Sequence, residues 1–194
     1  MTRKHIRPPR FFHSTLGLVI ALTVIAAPLL HAQRSGPTEN EVKSAYLYNF
    51  GKFVEWPAKA TNVGEFFPIC ALGDDNLGST LETTIAGESI NGKKVLVKRV
   101  AKPQDAVSCR ILFISSSEQN QLKEILAALG NTSVLTVSDM PQFTRRGGMI
   151  QFVVEANKVR FEVNLTSAER AGLTLSSQLL KVATQVKRSA QSGD

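Results

Sequence analysis

Three histidines, two cysteines and one tryptophan are all that the 194 residues hold of those types. His5, His13 and His31 all fall in the first 32 residues, a stretch laid out like a cleavable secretion signal. Arg3, Lys4, Arg7 and Arg10 come first without an acidic residue, and Leu16 to Leu30 is then almost wholly apolar. Long hydrophobic runs are lacking too. This one holds 15 residues and is broken by Pro28, whereas a membrane-spanning helix wants about 20, so a retained anchor is the weaker alternative. Leu30-His31-Ala32 predicts cleavage after Ala32, and no cysteine follows for a lipid to be attached to.

A chain cut there has no histidine. That excludes Ser-His-Asp and Cys-His arrangements and histidine-ligated zinc, all of which need an imidazole as base or ligand. An enzyme would be left with carboxylates, lysine or tyrosine, and the chain is expected to be non-catalytic and to need no cofactor. Excess positive charge is also scarce. Four of the 23 basic residues leave with the signal, so 19 face 16 acidic ones and the balance is +3 where the whole chain has +7. No basic stripe of the kind nucleic-acid binders carry remains.

What is present fits one small domain. Residues 1–32 are the signal, 33–40 a polar leader, 41–188 a single α/β domain and 189–194 a disordered tail. Cys70 and Cys109 are an even pair in an exported chain, which favours a disulfide, with two buried thiols as the alternative. Glu41 to Trp56 carries Val42, Ala45, Phe50, Phe53 and Val54 near one helical face, with Pro57 as the stop. Phe67 to Leu72 reads as a strand, Leu77 to Ile85 as a helix, and Val95 to Val100 as a strand after the Asn91-Gly92 turn. Cys109 to Ile114 is a buried-type strand. Ser115 to Ser117 then cap a helix whose inner face holds Leu122, Ile125, Leu126 and Leu129, and Val134 to Val137 is a further strand. Alternating strands and short helices predict a three-layer α/β sandwich with a mainly parallel sheet. Met149 to Val154 and Val159 to Leu165 add a C-terminal antiparallel hairpin around Glu155-Ala156-Asn157-Lys158. A short helix over Leu165 to Leu173 and a longer one through Leu175, Leu179, Leu180, Val182, Ala183 and Val186 close the chain.

Gly73-Asp-Asp-Asn-Leu-Gly78 has a phosphate loop's glycine spacing but lacks its lysine and presents carboxylates, so a turn capping the next helix is the better reading. Glu155, Glu162 and Glu169 are the carboxylates available for acid and base work, yet no spacing pairs them. Glu162 alternates with Phe161 and Val163, which suits an outward charge on a contact surface. Phe152, Glu162 and Leu173 are the candidate partner-binding residues, Phe152 and Leu173 having plain core packing as the alternative. Arg145-Arg146-Gly147-Gly148 could form an anion nest for a small ligand, or a loop in which glycine supplies backbone freedom.

Several segments, in order along 41–186, resemble the YfiR family of bacterial periplasmic proteins. They are Glu41-Val-Lys-Ser-Ala-Tyr-Leu-Tyr-Asn-Phe-Gly-Lys-Phe-Val-Glu-Trp-Pro57, Cys70-Ala-Leu-Gly-Asp74, Cys109-Arg-Ile-Leu-Phe-Ile114, Gly147-Gly-Met-Ile150, Val159-Arg-Phe-Glu-Val-Asn-Leu165 and Leu173-Thr-Leu-Ser-Ser-Gln-Leu-Leu180. The resemblance implies a periplasmic repressor that binds the periplasmic region of an inner-membrane diguanylate cyclase and lowers cyclic-di-GMP output and biofilm formation. A periplasmic small-molecule sensor acting on another membrane signalling protein is the alternative, and a homodimer is open to either. The resemblance also implies a Cys70–Cys109 bridge. Some relatives carry a second cysteine pair near the hairpin, where this chain has Thr144 and Gln151.

Overall fold

A computed structural model of the chain describes residues 36–60, 64–74 and 77–188. The expected signal, the first part of the leader, the tail 189–194 and Asp75 and Asn76 of the glycine turn lie outside the described residues.

Helix α1 (Glu39–Phe53) begins inside the expected leader because Thr38 and Glu41 cap it reciprocally. The Glu41 N–H donates to the Thr38 hydroxyl at 3.3 Å, and the Thr38 N–H donates to the Glu41 carboxylate at 2.7 Å. Its inward stripe is Lys43, Leu47, Phe50 and Gly51. The expected stripe is thus rotated: Ala45 faces solvent and Phe53 is exposed. The helix also ends before Pro57, because Val54 turns to extended backbone and strand β1 (Val54–Glu55) pairs antiparallel with β9 (Thr174–Leu175).

The main sheet has eight strands in the order β10-β8-β7-β6-β5-β2-β4-β3. Strands β2 (Phe66–Leu72), β4 (Lys93–Val100), β5 (Ile111–Ile114), β6 (Leu135–Ser138) and β7 (Ile150–Glu155) run parallel, while β3 (Ser89–Ile90) and β8 (Lys158–Asn164) are antiparallel to β4 and β7. Two tight turns join these antiparallel pairs, with left-handed Asn91 and Gly92 in one and Ala156 and Asn157 in the other. Positive φ at both central residues matches a hairpin turn to the right-handed twist of its strands.

Helices α2 (Leu77–Thr84), α3 (Leu122–Ala128), α4 (Leu165–Arg170) and α5 (Ser177–Val182) complete a mixed α/β fold. The long closing helix is not formed. Helix α5 stops at Val182, and the Thr184 N–H and hydroxyl both donate to the Phe161 carbonyl, at 2.9 and 3.2 Å. That anchor lays β10 (Gln185–Lys187) parallel against β8.

Apart from Phe66 at the start of β2, strands β2, β5 and β6 are buried throughout and supply two apolar clusters. Ile69, Ile111, Phe113, Leu135 and Val137 join Leu47 and Phe50 of α1 and Leu77 and Leu81 of α2. Cys70, Leu72, Leu112 and Ile114 join Leu122, Ile125 and Leu129 with Met140 and Phe143. Residues one apart on a strand point to opposite faces, so the clusters lie on opposite sides of one sheet.

Candidate functional site

Cys70, in the middle of β2, is bonded to Cys109 with their Cα atoms 6.0 Å apart. Cys109 is not in β5, which starts two residues later; it ends the 3₁₀ turn Pro103–Ser108, where its N–H donates to the Ala106 carbonyl. The Arg110 N–H then donates to the Pro68 carbonyl at 2.8 Å and sets the chain beside β2. The bridge therefore ties β2 to the segment leading into β5.

Phe152 and Leu173 take the core alternative, being 3% and 2% exposed. The Phe152 ring stacks on Phe50 with centroids 6.0 Å apart and lies 6.0 Å from Tyr46, while Phe161 packs edge-on against both Phe50 and Tyr46. Neither Phe152 nor Leu173 leaves the uncovered surface their spacing suggested. Glu162, on the other face of β8 from Phe161, is half-buried in a polar cluster centred on Thr144. The Thr144 hydroxyl donates to the Glu162 carboxylate at 3.3 Å, and Lys187 Nζ lies 3.4 Å from that hydroxyl. The Thr144 N–H donates to Gln151 Oε1 at 3.3 Å, and Asn164 Nδ2 donates to the Thr144 carbonyl at 2.8 Å. Positions 144 and 151 are thus neighbours, joined here by a hydrogen bond.

The loop at Arg145 to Gly148 is a closed turn. Three of its four N–H groups are spent internally: Arg145 and Arg146 donate to the Gln142 carbonyl, and Gly148 donates to the Phe143 carbonyl at 3.0 Å. A nest needs such groups turned outward to an anion. The Arg146 guanidinium donates to the Gln119 carbonyl at 2.9 Å. The glycines have steric reasons: Gly147 has φ +103°, and a Cβ on Gly148 would collide with the Phe143 ring.

Open parallel sheets bind ligands where strand order reverses, at the carboxyl ends of the strands. Here that point, between β2 and β5, is closed on itself. The Asp74 N–H donates to the Ser117 hydroxyl and the Ser115 hydroxyl donates to the Asp74 carbonyl, both at 3.0 Å. Gly73, at φ +93°, leaves no room beside Ser117 and Glu118 for a side chain. Among the described residues no three histidine, cysteine or carboxylate side chains are grouped as metal ligands.

Two buried cations escaped the sequence reading. Lys43, 5% exposed, bonds Asp139 and Glu39; the Glu39-to-Lys43 spacing of four was the available signal. Arg110, 6% exposed, sits inside the apolar run read as a strand, and nothing in its neighbours announces a cleft.

A family profile described as YfiR/HmsC-like matches residues 40–184. Among solved structures, the chain is similar to a conserved domain protein from Vibrio cholerae O1 biovar eltor, with 12% identity and a TM-score of 0.57, over 77% of this chain and 60% of that one. It is also similar to an ABC domain from Streptococcus pneumonia solved in complex with L-Trp, with 15% identity and a TM-score of 0.47, over 62% of this chain and 55% of that one. The chain spans well under two thirds of either protein, and at such identity the first likeness concerns fold alone.

Proposed function

We propose that this chain, which belongs to the YfiR/HmsC-like family, is a periplasmic regulator of cyclic-di-GMP signalling that binds the periplasmic region of an inner-membrane diguanylate cyclase and represses it. The match over residues 40–184 carries the reading, because it takes in every element of the domain up to the start of β10. Two observations support it. A buried disulfide suits an oxidising compartment. No described helix is long and apolar enough to cross a membrane, so the described part would act on a membrane protein from outside the bilayer. The regulator works by contact and not by catalysis.

The contact face in this proposal runs along the β7–β8 pair, from Val154 at its outer end to α5 and to β10 beside the far end of β8. Val154, Val182 and Val186 are exposed large apolar side chains there. Val154 continues the Phe152 side of β7 beyond the core, and apolar groups left in water beside charges suit a protein interface. Phe152 lies next along that side of β7, in the core, and Glu162, on the opposite face of β8, is a second point of contact in this proposal, its charge held in place by Thr144. A sensor reading centred on Arg145 and Arg146 has no observation in its favour.

Val154→Glu and Val182→Glu should each raise cellular cyclic-di-GMP and abolish recovery of the cyclase from membranes with the purified domain as bait. Both side chains are exposed, so stability should change by under about 0.5 kcal/mol. Glu162→Lys should also relieve repression, at a larger cost in stability because Glu162 is half-buried and hydrogen-bonded. Repression surviving both valine changes would reject this face. Unchanged cyclic-di-GMP on deleting the wild-type protein would reject the regulator itself.

A further inference from the structure

We propose that a cleft at the amino-terminal ends of β2, β4 and β5 binds a small organic carboxylate, its anionic group held by Arg110 and its apolar body lying against Trp56 and Phe67. The cavity measures about 430 Å³ and is lined by Val54, Trp56, Phe67, Ile90, Lys52 and Arg110, among others.

The argument begins with Arg110. Its side chain is 6% exposed, yet among the described residues its guanidinium has no carboxylate or carbonyl partner. It lies over the Trp56 ring, 5.9 Å from Cζ to the centroid. A cation–π contact offsets part of the cost of burying a cation but supplies no acceptor for the five guanidinium N–H donors. Burial pushes the Arg110 pKa down, and no counter-charge among the described residues restores it. Buried charges are ordinarily paired. Arg110 borders this cavity, so the missing partner can come from solution.

Trp56 adds an independent sign. Its indole Nε1 is buried without a hydrogen-bond partner, and its ring packs edge-on against Phe67 at 5.4 Å. An indole N–H without a partner and a guanidinium with no carboxylate or carbonyl partner among the described residues therefore come from two residues that line one cavity. Its other walls are aliphatic and aromatic. Lys52 and Lys93 add positive charge to the rim, against Glu55 as the acid among the lining residues. Donors without acceptors, beside an apolar wall, fit an acceptor-only anion carried on an apolar body. A carboxylate can take the guanidinium bidentately. Inorganic phosphate has the charge but no body to fill the apolar half.

Trp56 is the only tryptophan in the chain, so its fluorescence reports on the cleft directly. The purified protein would be titrated near neutral pH with phenylacetate and hexanoate, and with phenylacetamide, phenethylamine and inorganic phosphate as controls. Both carboxylates should give a saturable change and raise Tm by mass action, and the controls should bind at least about tenfold more weakly. Arg110→Gln should weaken carboxylate binding by about tenfold or more, and Arg110→Lys by less, because an ammonium keeps the charge without the fork. Arg110→Gln should not lower the Tm of the unliganded protein, since it removes an unpaired buried charge; a purely structural arginine would make that variant less stable. The ligand series on wild-type protein stands even if a variant fails to fold. No saturable response to either carboxylate up to about 10 mM, or an equal response to the amide, would overturn the proposal. The site does not rest on the regulatory reading, and a failure here leaves the cyclase experiments untouched.

Discussion

Lys43 lies on the inward stripe of α1, where an ammonium is tolerated only in company. Its Nζ is 2.7 Å from both Asp139 and Glu39. Burial alone pulls the Lys43 pKa down, but hydrogen bonds to Asp139 and Glu39, and their charges, outweigh it and leave the pKa above its ordinary value of 10.5. A lysine whose pKa is raised on folding contributes stability that is fully present below the unfolded value. That stability is lost as pH rises through the folded value. Asp139→Asn removes one of the two partners, so it should cost about 1–3 kcal/mol at neutral pH and make the alkaline loss smaller and complete at a lower pH. Lys43→Met, which deletes the buried charge and keeps the volume, should cost less. Urea unfolding of the three proteins at neutral and alkaline pH measures both effects. Equal midpoints for Asp139→Asn and wild type would mean that the pair does not hold Lys43.

The Cys70–Cys109 bridge closes a loop of 39 residues that contains α2, β3 and β4. Constraining that loop in the unfolded chain is worth about 4 kcal/mol in the entropy model. Reduction should lower Tm by on the order of 10 °C, with the amides of α2 and β4 the first to lose exchange protection; a reduced protein melting with the oxidised one would refute this. The strands on either side of that loop were legible in the sequence because they are continuous apolar runs, Ile69 to Leu72 and Ile111 to Ile114, as strands buried on both faces must be. The Asn91-Gly92 turn was legible from its chemistry, and the turn at Ala156-Asn157 from the two strand-like runs that meet there. The end of α1 was not, because Val54 suits a helix face as well as a strand and its choice depends on Leu175, which lies far along the chain. Val186 misled in the same way: helical spacing placed it with Val182, while the bonds from Thr184 to Phe161 make it strand. Phe152 and Glu162 show the corresponding limit for the site. Period-two alternation separates their two sides but says nothing of what covers each.

The two apolar clusters share their strands. On β2, Ile69 enters the cluster with α1 and α2 while its neighbour Cys70 enters the one with α3; on β5, Ile111 and Leu112 divide in the same way. A strand cannot remain ordered for one cluster while melting for the other, so the domain taken here as residues 41–188 should unfold as a single cooperative unit. Phe50→Ala empties part of the first cluster and Ile125→Ala part of the second, at about 3–5 and 2–5 kcal/mol. Scanning calorimetry of the oxidised protein should show one transition in each variant, lowered in temperature, with calorimetric and van't Hoff enthalpies equal. Two separately folded cores would give a different result: each variant would lower one of two transitions and leave the other in place. The outcome also bears on how partner binding is read, because the exposed end of β7 and the helix α3 lie on different sides of the sheet yet share one folding equilibrium. If the single transition holds, a core change on the α3 side that weakens repression acts by lowering the amount of folded protein, whereas Val154→Glu, at the same folded population, acts on the contact itself.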